Sequence, residues 1–254
     1  MFDIPRVTLI VGRTQQGKST LALKLAVQEF PRIVILDSAR TRVFDQVAPA
    51  GQFSTWKQMA TWLMSDAAKA PRWCIALRSK DPEDYAALLR ASEHFRGVLI
   101  LMDETHKLCR MEGVQEPLEL VALTGAHYGN GAGVWLYMLS QRPTSVPINV
   151  RSQADRIITF RQQEPRDRDW LVNWGTTQEF ADRVGQLPDH AYLIYPTAEE
   201  EKKRDKPQDD APAEVLAPDH GGSDPKSAGP SSMEAAPSGS ETVTSKEETE
   251  SAAA

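Results

Sequence analysis

Four residues at fixed spacing carry the first chemical signal. Gly12, Gly17, Lys18 and Ser19, within "VGRTQQGKST" (11–20), fit the pattern Gly-x-x-x-x-Gly-Lys-Ser/Thr. In such a turn the glycines leave backbone N–H groups uncovered around an anion-sized hollow. The positive end of a following helix adds to the attraction for phosphate. Lys18 then reaches β- and γ-phosphate oxygens, and Ser19 places its hydroxyl on Mg²⁺. The spacing assigns Gly12, Arg13, Thr14, Gln15, Gln16, Gly17, Lys18, Ser19 and Thr20 to a nucleotide. The plain alternative is an ordinary strand–turn–helix with an exposed lysine. The apolar run before the loop and the amphipathic one after it speak against that.

A second segment, "VLILMDE" (98–104), ends on two carboxylates. Asp103 falls where the Ser19-bound magnesium needs another ligand. Glu104 is suited to polarise a water for in-line attack on the γ-phosphate. Small GTPases and most nucleotide kinases do not place a Glu directly after this Asp, so the pair favours ATP hydrolysis. A third polar residue, Gln141, closes the apolar run "GVWLYMLSQ" (133–141). Its amide can contact the γ-phosphate and the attacking water together. Two solvated acids at a strand end, and a glutamine capping the turn before Pro143, are the plain readings of the same residues.

These side chains need a frame that brings three run ends together. Apolar periodicity predicts strands at 6–12, 32–37, 72–78, 97–104, 133–141, 154–161 and 190–196. Helices are predicted at 18–30, 55–69, 81–95, 116–129, 164–175 and 176–185. On the first helix, Leu21 and Leu25 are expected to face inward and Gln28 and Glu29 to face water. Asp81 followed by Pro82 is a helix-start signature. Continuous apolar runs such as "RIVILD" (32–37) suit strands buried on both faces. Strands separated by helices imply right-handed crossovers and a mostly parallel sheet. The expected fold class is α/β, with one domain over residues 1–196 and no internal repeat.

Charge is spread unevenly along the 254 residues. The whole chain has 29 Lys and Arg against 35 Asp and Glu, a net of −6. Residues 199–254 hold 14 acidic and 6 basic residues, which leaves residues 1–198 with 21 and 23, a net of +2. The acidic average is therefore no argument against a nucleic-acid partner. Residues 197–254 are rich in Pro, Gly, Ser, Ala and Glu and nearly free of large apolar side chains, so this tail is expected to be disordered. It reads as a solubilising tail, or as a docking tail or a mimic of nucleic-acid charge. Cys74 and Cys109 show no metal-ligand spacing, which points to a reduced, cytoplasmic setting. No apolar stretch approaches the roughly 18 to 20 residues of a membrane span. "MFDIPRVTLIVG" (1–12) lacks the basic-then-apolar order of a signal peptide.

The order of three blocks, "GRTQQGKST", "VLILMDE" and "MLSQRPTSVPINVRSQADRIITFR", resembles the HerA/FtsK superfamily of DNA-pumping ATPases. The last block is especially similar: a Ser-Gln-Arg-Pro turn leads through a Pro-containing loop to an apolar strand ending near Arg. The resemblance covers roughly residues 6–196. It implies a RecA-like, additional-strand, catalytic-Glu core that binds ATP and Mg²⁺ between subunits of a homo-hexameric ring around double-stranded DNA. A stripped core of this size looks most like the genome-packaging ATPases of viruses with an internal membrane. That implies capsid or portal-vertex partners, and a place in the host cytoplasm or at a virion vertex. Arg13 would lie over the nucleotide or point to the next subunit.

The chain departs from the superfamily at one place. An arginine that reaches the neighbour's ATP commonly sits before the Gln strand, and the matching stretch "GAHYGNGAG" (125–133) has none, with Ala126 at the position expected for it. Arg142, and after it Arg151, are the nearest candidates for that role, each with a structural or DNA-contacting alternative. His106, Lys107 and Arg110 are candidates to track DNA phosphates, against a solvated loop. The tryptophans suit a packed core better than a base-stacking platform. A conjugation- or segregation-type DNA transporter and a non-pumping ATP-dependent switch remain as competing functions. A small-molecule kinase is disfavoured by Asp103-Glu104 and by the lack of a recognisable lid or acceptor site.

Overall fold

The computed structural model describes residues 4–47 and 51–196. The tail expected to be disordered, 197–254, lies outside the described residues. In chain order the elements begin with β1 (Val7–Val11), α1 (Lys18–Glu29), β2 (Arg32–Leu36), β3 (Gln52–Phe53), α2 (Trp56–Leu63), β4 (Trp73–Leu77) and α3 (Pro82–Ala91). They continue with β5 (Val98–Met102), α4 (Thr105–Leu108), α5 (Gln115–Thr124), β6 (Val134–Ser140), α6 (Ile148–Arg151), β7 (Arg156–Phe160), α7 (Pro165–Trp174), α8 (Gln178–Gln186) and β8 (Tyr192–Tyr195).

The strands form one eight-stranded sheet in the order β3-β4-β2-β5-β6-β1-β7-β8. Neighbours pair in parallel throughout, except that β8 runs antiparallel to β7. The α/β class expected from the sequence is the class observed. Side chains alternate between two faces, as the pleat requires. Val98, Ile100 and Met102 of β5 join one core with Tyr85 and Leu88 of α3, Leu118 of α5, Leu171 of α7 and Val184 of α8. Leu99 and Leu101 join the opposite core with Ala22 and Ala26 of α1. The sheet is therefore covered on both sides, which explains why its strands read as unbroken apolar runs.

Strand order determines where a site can form. The chain leaves β1 toward β2 on one side, while β6 and β7 flank β1 on either side. Divergence of connections from a central strand opens a crevice at the carboxyl ends of the strands. The turn after β1, the acids after β5 and the glutamine after β6 all emerge at that end.

Several expectations need correction. On α1 the fully buried stripe is Ala22 and Ala26, while Leu21 and Leu25 are half-buried. Methyl-sized side chains let the helix lie close on the sheet. Glu29, expected to face water, bonds Tyr137 Oη and pairs with Arg156 at 3.2 Å, because β6 and β7 run beneath the end of α1. The helix read over 55–69 stops at Leu63, and a 3₁₀ turn covers Asp66–Lys69. Ser65 Oγ donates to the Trp62 carbonyl, a local bond that competes with helix continuation. The helix read over 116–129 ends at Thr124, ahead of Gly129, Gly131 and Gly133, all at positive φ. Asp81 does cap α3, accepting from the Glu83 N–H.

Candidate active site

The turn between β1 and α1 supplies the anion hollow. Gly12 approaches β7 so closely that a Cβ there would meet the Phe160 Cβ at 2.6 Å. Gly17 has φ +94°, a left-handed conformation that favours glycine. The loop braces itself: Gln16 Oε1 accepts from the Arg13 N–H at 2.8 Å, and Lys18 Nζ donates to the Arg13 carbonyl at 2.9 Å. Lys18 is 7% exposed. Burial pushes its pKa below the ordinary lysine value, and the Glu104 and Asp103 carboxylates pull it back up.

Ser19 Oγ lies 3.2 Å from Asp103 Oδ1, so the two residues expected to share magnesium face each other across the crevice. Burial drives the Asp103 carboxyl above its usual range. The Thr41 and Ser19 hydrogen bonds and Lys18 oppose that shift, and Glu104 adds to it. Thr41 is a residue the sequence did not disclose. Its Oγ1 donates to Asp103 Oδ2, and its N–H donates to Asp37 Oδ1 at 2.9 Å. Arg78 Nε reaches Asp37 Oδ2 at 2.8 Å, and its Nη2 reaches the Thr41 carbonyl at 3.3 Å. Asp37, Thr41 and Arg78 thus tie the ends of β2 and β4 to the carboxylate that ends β5. Only the adjacency of β2 and β5, a property of the sheet, could have revealed them.

Glu104 lies two residues past the end of β5 in a left-handed conformation, φ 52° and ψ 47°. For a residue with a Cβ this conformation costs about 1–2 kcal/mol. It turns the carboxylate back toward the crevice. Gln141 Nε2 lies 3.3 and 3.4 Å from the two Glu104 oxygens, so β6 delivers its amide to the carboxylate on the neighbouring strand. His106 Nε2 lies 3.3 Å from Glu104 Oε2, and its Nδ1 is 3.4 Å from Ser140 Oγ. Burial first, then Lys107, Arg110 and Lys18, lower the His106 pKa against the pull of Glu104. His106 therefore braces Glu104, and the "HKLCR" stretch starts within helix α4, where a solvated loop was the plain expectation. Lys107 is half-exposed, 3.6 Å from the same carboxylate, and Arg110 is exposed.

The arginines have distinct settings. Arg142 pairs with Glu164 at 3.1 Å and Asp167 at 3.6 Å of its own chain, and half of its side chain is exposed. Arg151 bonds the carbonyls of Pro143 and Val146 at 3.3 and 3.1 Å and lies over Trp170. These contacts tie it to the turn after β6 within its own chain. Arg13 Nη1 donates to Gln163 Oε1. Beside Ala126, where an arginine was sought, the structure places Arg6. Its Nη2 is 3.4 Å from the Ala126 carbonyl, and its guanidinium lies 4.5 Å from the centre of the Trp135 ring.

Two cavities are lined by the loop. One, of about 710 Å³, runs from Lys18, Asp103 and Glu104 past Thr20 and Leu21 to Phe160, His190 and Tyr192. The other, of about 560 Å³, lies between Arg13, Gln141, Arg142 and Asp167.

Comparison with solved structures places this arrangement. The genome-packaging NTPase B204 of Sulfolobus turreted icosahedral virus 2, in complex with sulfate, superposes with a TM-score of 0.55 at 20% identity. The match covers 75% of this chain and 90% of that one. The same protein in complex with AMPPCP gives 0.55 at 21% identity, over 75% and 91% of the two chains. B204 of Sulfolobus turreted icosahedral virus, described as a DNA-packaging ATPase, gives 0.51 at 18%, over 75% and 91%. The fold is that of a phosphate-loop ATPase. No protein-family model and no curated protein matches the sequence. Among the described residues, no helix is long and apolar enough to cross a membrane.

The residues suit a Mg²⁺-bound nucleoside triphosphate. The Gly12 approach is one a side chain would close, Lys18 is a buried cation at the loop, and Ser19 with Asp103 offers hard oxygen donors of the kind magnesium takes.

Proposed function

We propose that this protein hydrolyses ATP and uses the cycle to move double-stranded DNA, as a viral genome-packaging motor that pumps DNA into a preformed capsid. The observation that carries the hydrolytic part is the Glu104 carboxylate, turned back by a left-handed backbone to meet Gln141 Nε2. Ser19 and Asp103 would hold Mg²⁺, which when bound would neutralise charge building on the phosphate oxygens. Lys18 Nζ exchanges the Arg13 carbonyl for a phosphate oxygen. Glu104 accepts the proton of the attacking water on a carboxylate oxygen, and Gln141 orients that water. Residues 12–20 hold the phosphates through their backbone N–H groups.

The DNA part draws support from the resemblance to the HerA/FtsK superfamily and from the shared fold with a protein described as a DNA-packaging ATPase. In this reading residues 1–196 are the motor domain and 197–254 a separate acidic tail. The motor is a homo-hexameric ring, with capsid or portal-vertex proteins as further partners. It works in the host cytoplasm or at a virion vertex. Arg142 is the residue proposed to complete a neighbour's site, which requires it to leave Glu164 and Asp167. A conjugation- or segregation-type transporter would use the same chemistry.

A second reading is a switch that binds ATP without pumping. Ala126 in place of an arginine, and Arg142 engaged within its own chain, both favour it. ATPase rates with and without double-stranded DNA, for the wild type and Glu104→Gln, separate the two. The motor reading expects DNA to stimulate hydrolysis and Glu104→Gln to abolish turnover while ATP still binds. Turnover that ignores DNA and survives Glu104→Gln would sink it.

A further inference from the structure

The larger cavity extends well past the residues that handle phosphate. From the loop it continues over Thr20 and Leu21 to a wall formed by Phe160, His190 and Tyr192. Phe160 is 2% exposed and packs under the loop, where it limits Gly12. His190, at φ +65°, brings its Nδ1 within 3.8 Å of where a Gly17 Cβ would stand. Tyr192 begins β8 two residues later. Its ring lies 5.6 Å from Phe160, tilted by 51°, and it stays 42% exposed. Phe160 packs against the Tyr192 ring, and Tyr192, still partly exposed, lines the cavity.

The cavity is also lined by Val43 and Thr41, small side chains with no aromatic face, and Thr41 is already committed to Asp103. An exposed aromatic ring backed by a second ring, a short way from a phosphate hollow, presents a planar apolar face to whatever the phosphates carry. Base–aromatic stacking of this kind is worth about 1–3 kcal/mol per base and tolerates any base, because each has a π-face.

We infer that Tyr192 is the stacking platform for the nucleobase of the bound nucleotide, with Phe160 fixing its orientation. The inference rests on the reading of residues 12–20 as a nucleotide site and names the part of the chain that holds the other end of that ligand. It also gives β8 a task. The antiparallel strand buries Tyr195 in the core and leaves Tyr192 and Ile194 partly exposed, and it carries the Tyr192 ring to the cavity that the loop lines.

Isothermal titration with Mg-ATP and with Mg-tripolyphosphate, which has the phosphates and no base, tests it on the wild type, Tyr192→Ala and Tyr192→Phe. Tyr192→Ala should weaken ATP binding by about tenfold, a change within the range of a single stacked base. It should leave tripolyphosphate affinity unchanged, and Tyr192→Phe should bind ATP as the wild type does. Equal loss of both ligands in Tyr192→Ala, or no loss of ATP, overturns the inference. Equal affinity of the wild type for ATP and tripolyphosphate overturns it too, while leaving the phosphate site standing. A wild type that binds neither ligand overturns the nucleotide reading itself.

Discussion

Glu104 combines two demands that conflict in most residues. It holds a backbone conformation that glycine adopts freely, and it supplies a carboxylate that glycine lacks. Strain retained at such a position is intelligible when the side chain is needed in a direction the relaxed backbone does not give. The substitutions Glu104→Gly and Glu104→Ala both remove the carboxylate and differ in how they bear the φ of 52°. Denaturant unfolding should find Glu104→Gly more stable than Glu104→Ala by about 1 kcal/mol. Both should be inactive in an ATPase assay. Equal stability would mean the residue relaxes once its carboxylate is gone. The same scale shows what the sequence left hidden. Lys18, Ser19, Asp103, Glu104 and Gln141 were legible, because each sits at a fixed distance from a glycine turn or at the end of an apolar run. Thr41, Arg78 and His106 were not, because their roles come from strands and turns that meet only in the folded sheet.

Between elements, a largely buried ion pair near the site is Asp37–Arg78. It joins the end of β2 to the end of β4 and reaches Asp45 at 2.7 Å in the turn after β2. Asp37 is fully buried, and burial raises its pKa while Thr41 and Arg78 hold it down. Arg78→Ala should therefore cost about 3 kcal/mol, since it strands a buried carboxylate. Adding Asp37→Asn should recover part of that loss in chemical denaturation, and a double variant no more stable than Arg78→Ala would rule out the stranded charge as the cause. The pair also illustrates the limits of periodicity. Long apolar runs made all but one of the eight strands visible, but β3, with two residues, is too short to carry a period. The α1 face was misread because leucines outweigh alanines on any hydrophobicity scale. The close seat of the helix on the sheet selects for small size instead.

For the molecule as a whole, the two thiols report on folding. Burial raises the Cys74 pKa from 9.0 to about 11 and that of Cys109 from 9.0 to about 12. At pH 8 a thiol of pKa about 11 is ionised to roughly one part in a thousand, and the thiolate is the reactive form. Alkylation should be slow in the native protein and fast in denaturant; fast native labelling at pH 8 would contradict the raised pKa values and, for Cys109, its burial. The linked stability has a definite sign. Unfolded thiols release protons near 9.0 and folded ones near 11 and 12, so the folded state holds more protons in between. The stabilisation is complete below 9.0 and declines as pH rises through the folded values. Melting temperatures from pH 8 to 11 should fall for the wild type and fall less for the Cys74→Ala, Cys109→Ala double variant.

The order of the strands also sets a timetable. The phosphate loop follows β1, which leaves a ribosome well before the rest of the sheet, and β1 finds its hydrogen-bonding partners only in β6 and β7, with Val7 beside Leu136 and Thr8 beside Arg156. Contacts between segments so distant in the chain form late, after the loop between them has been closed at an entropic cost. The nascent protein must therefore carry its phosphate-binding segment unsupported until nearly all of the sheet has been synthesised. Competence to bind a nucleotide is acquired among the last events of folding, and a chain halted before β7 has the motif without the site.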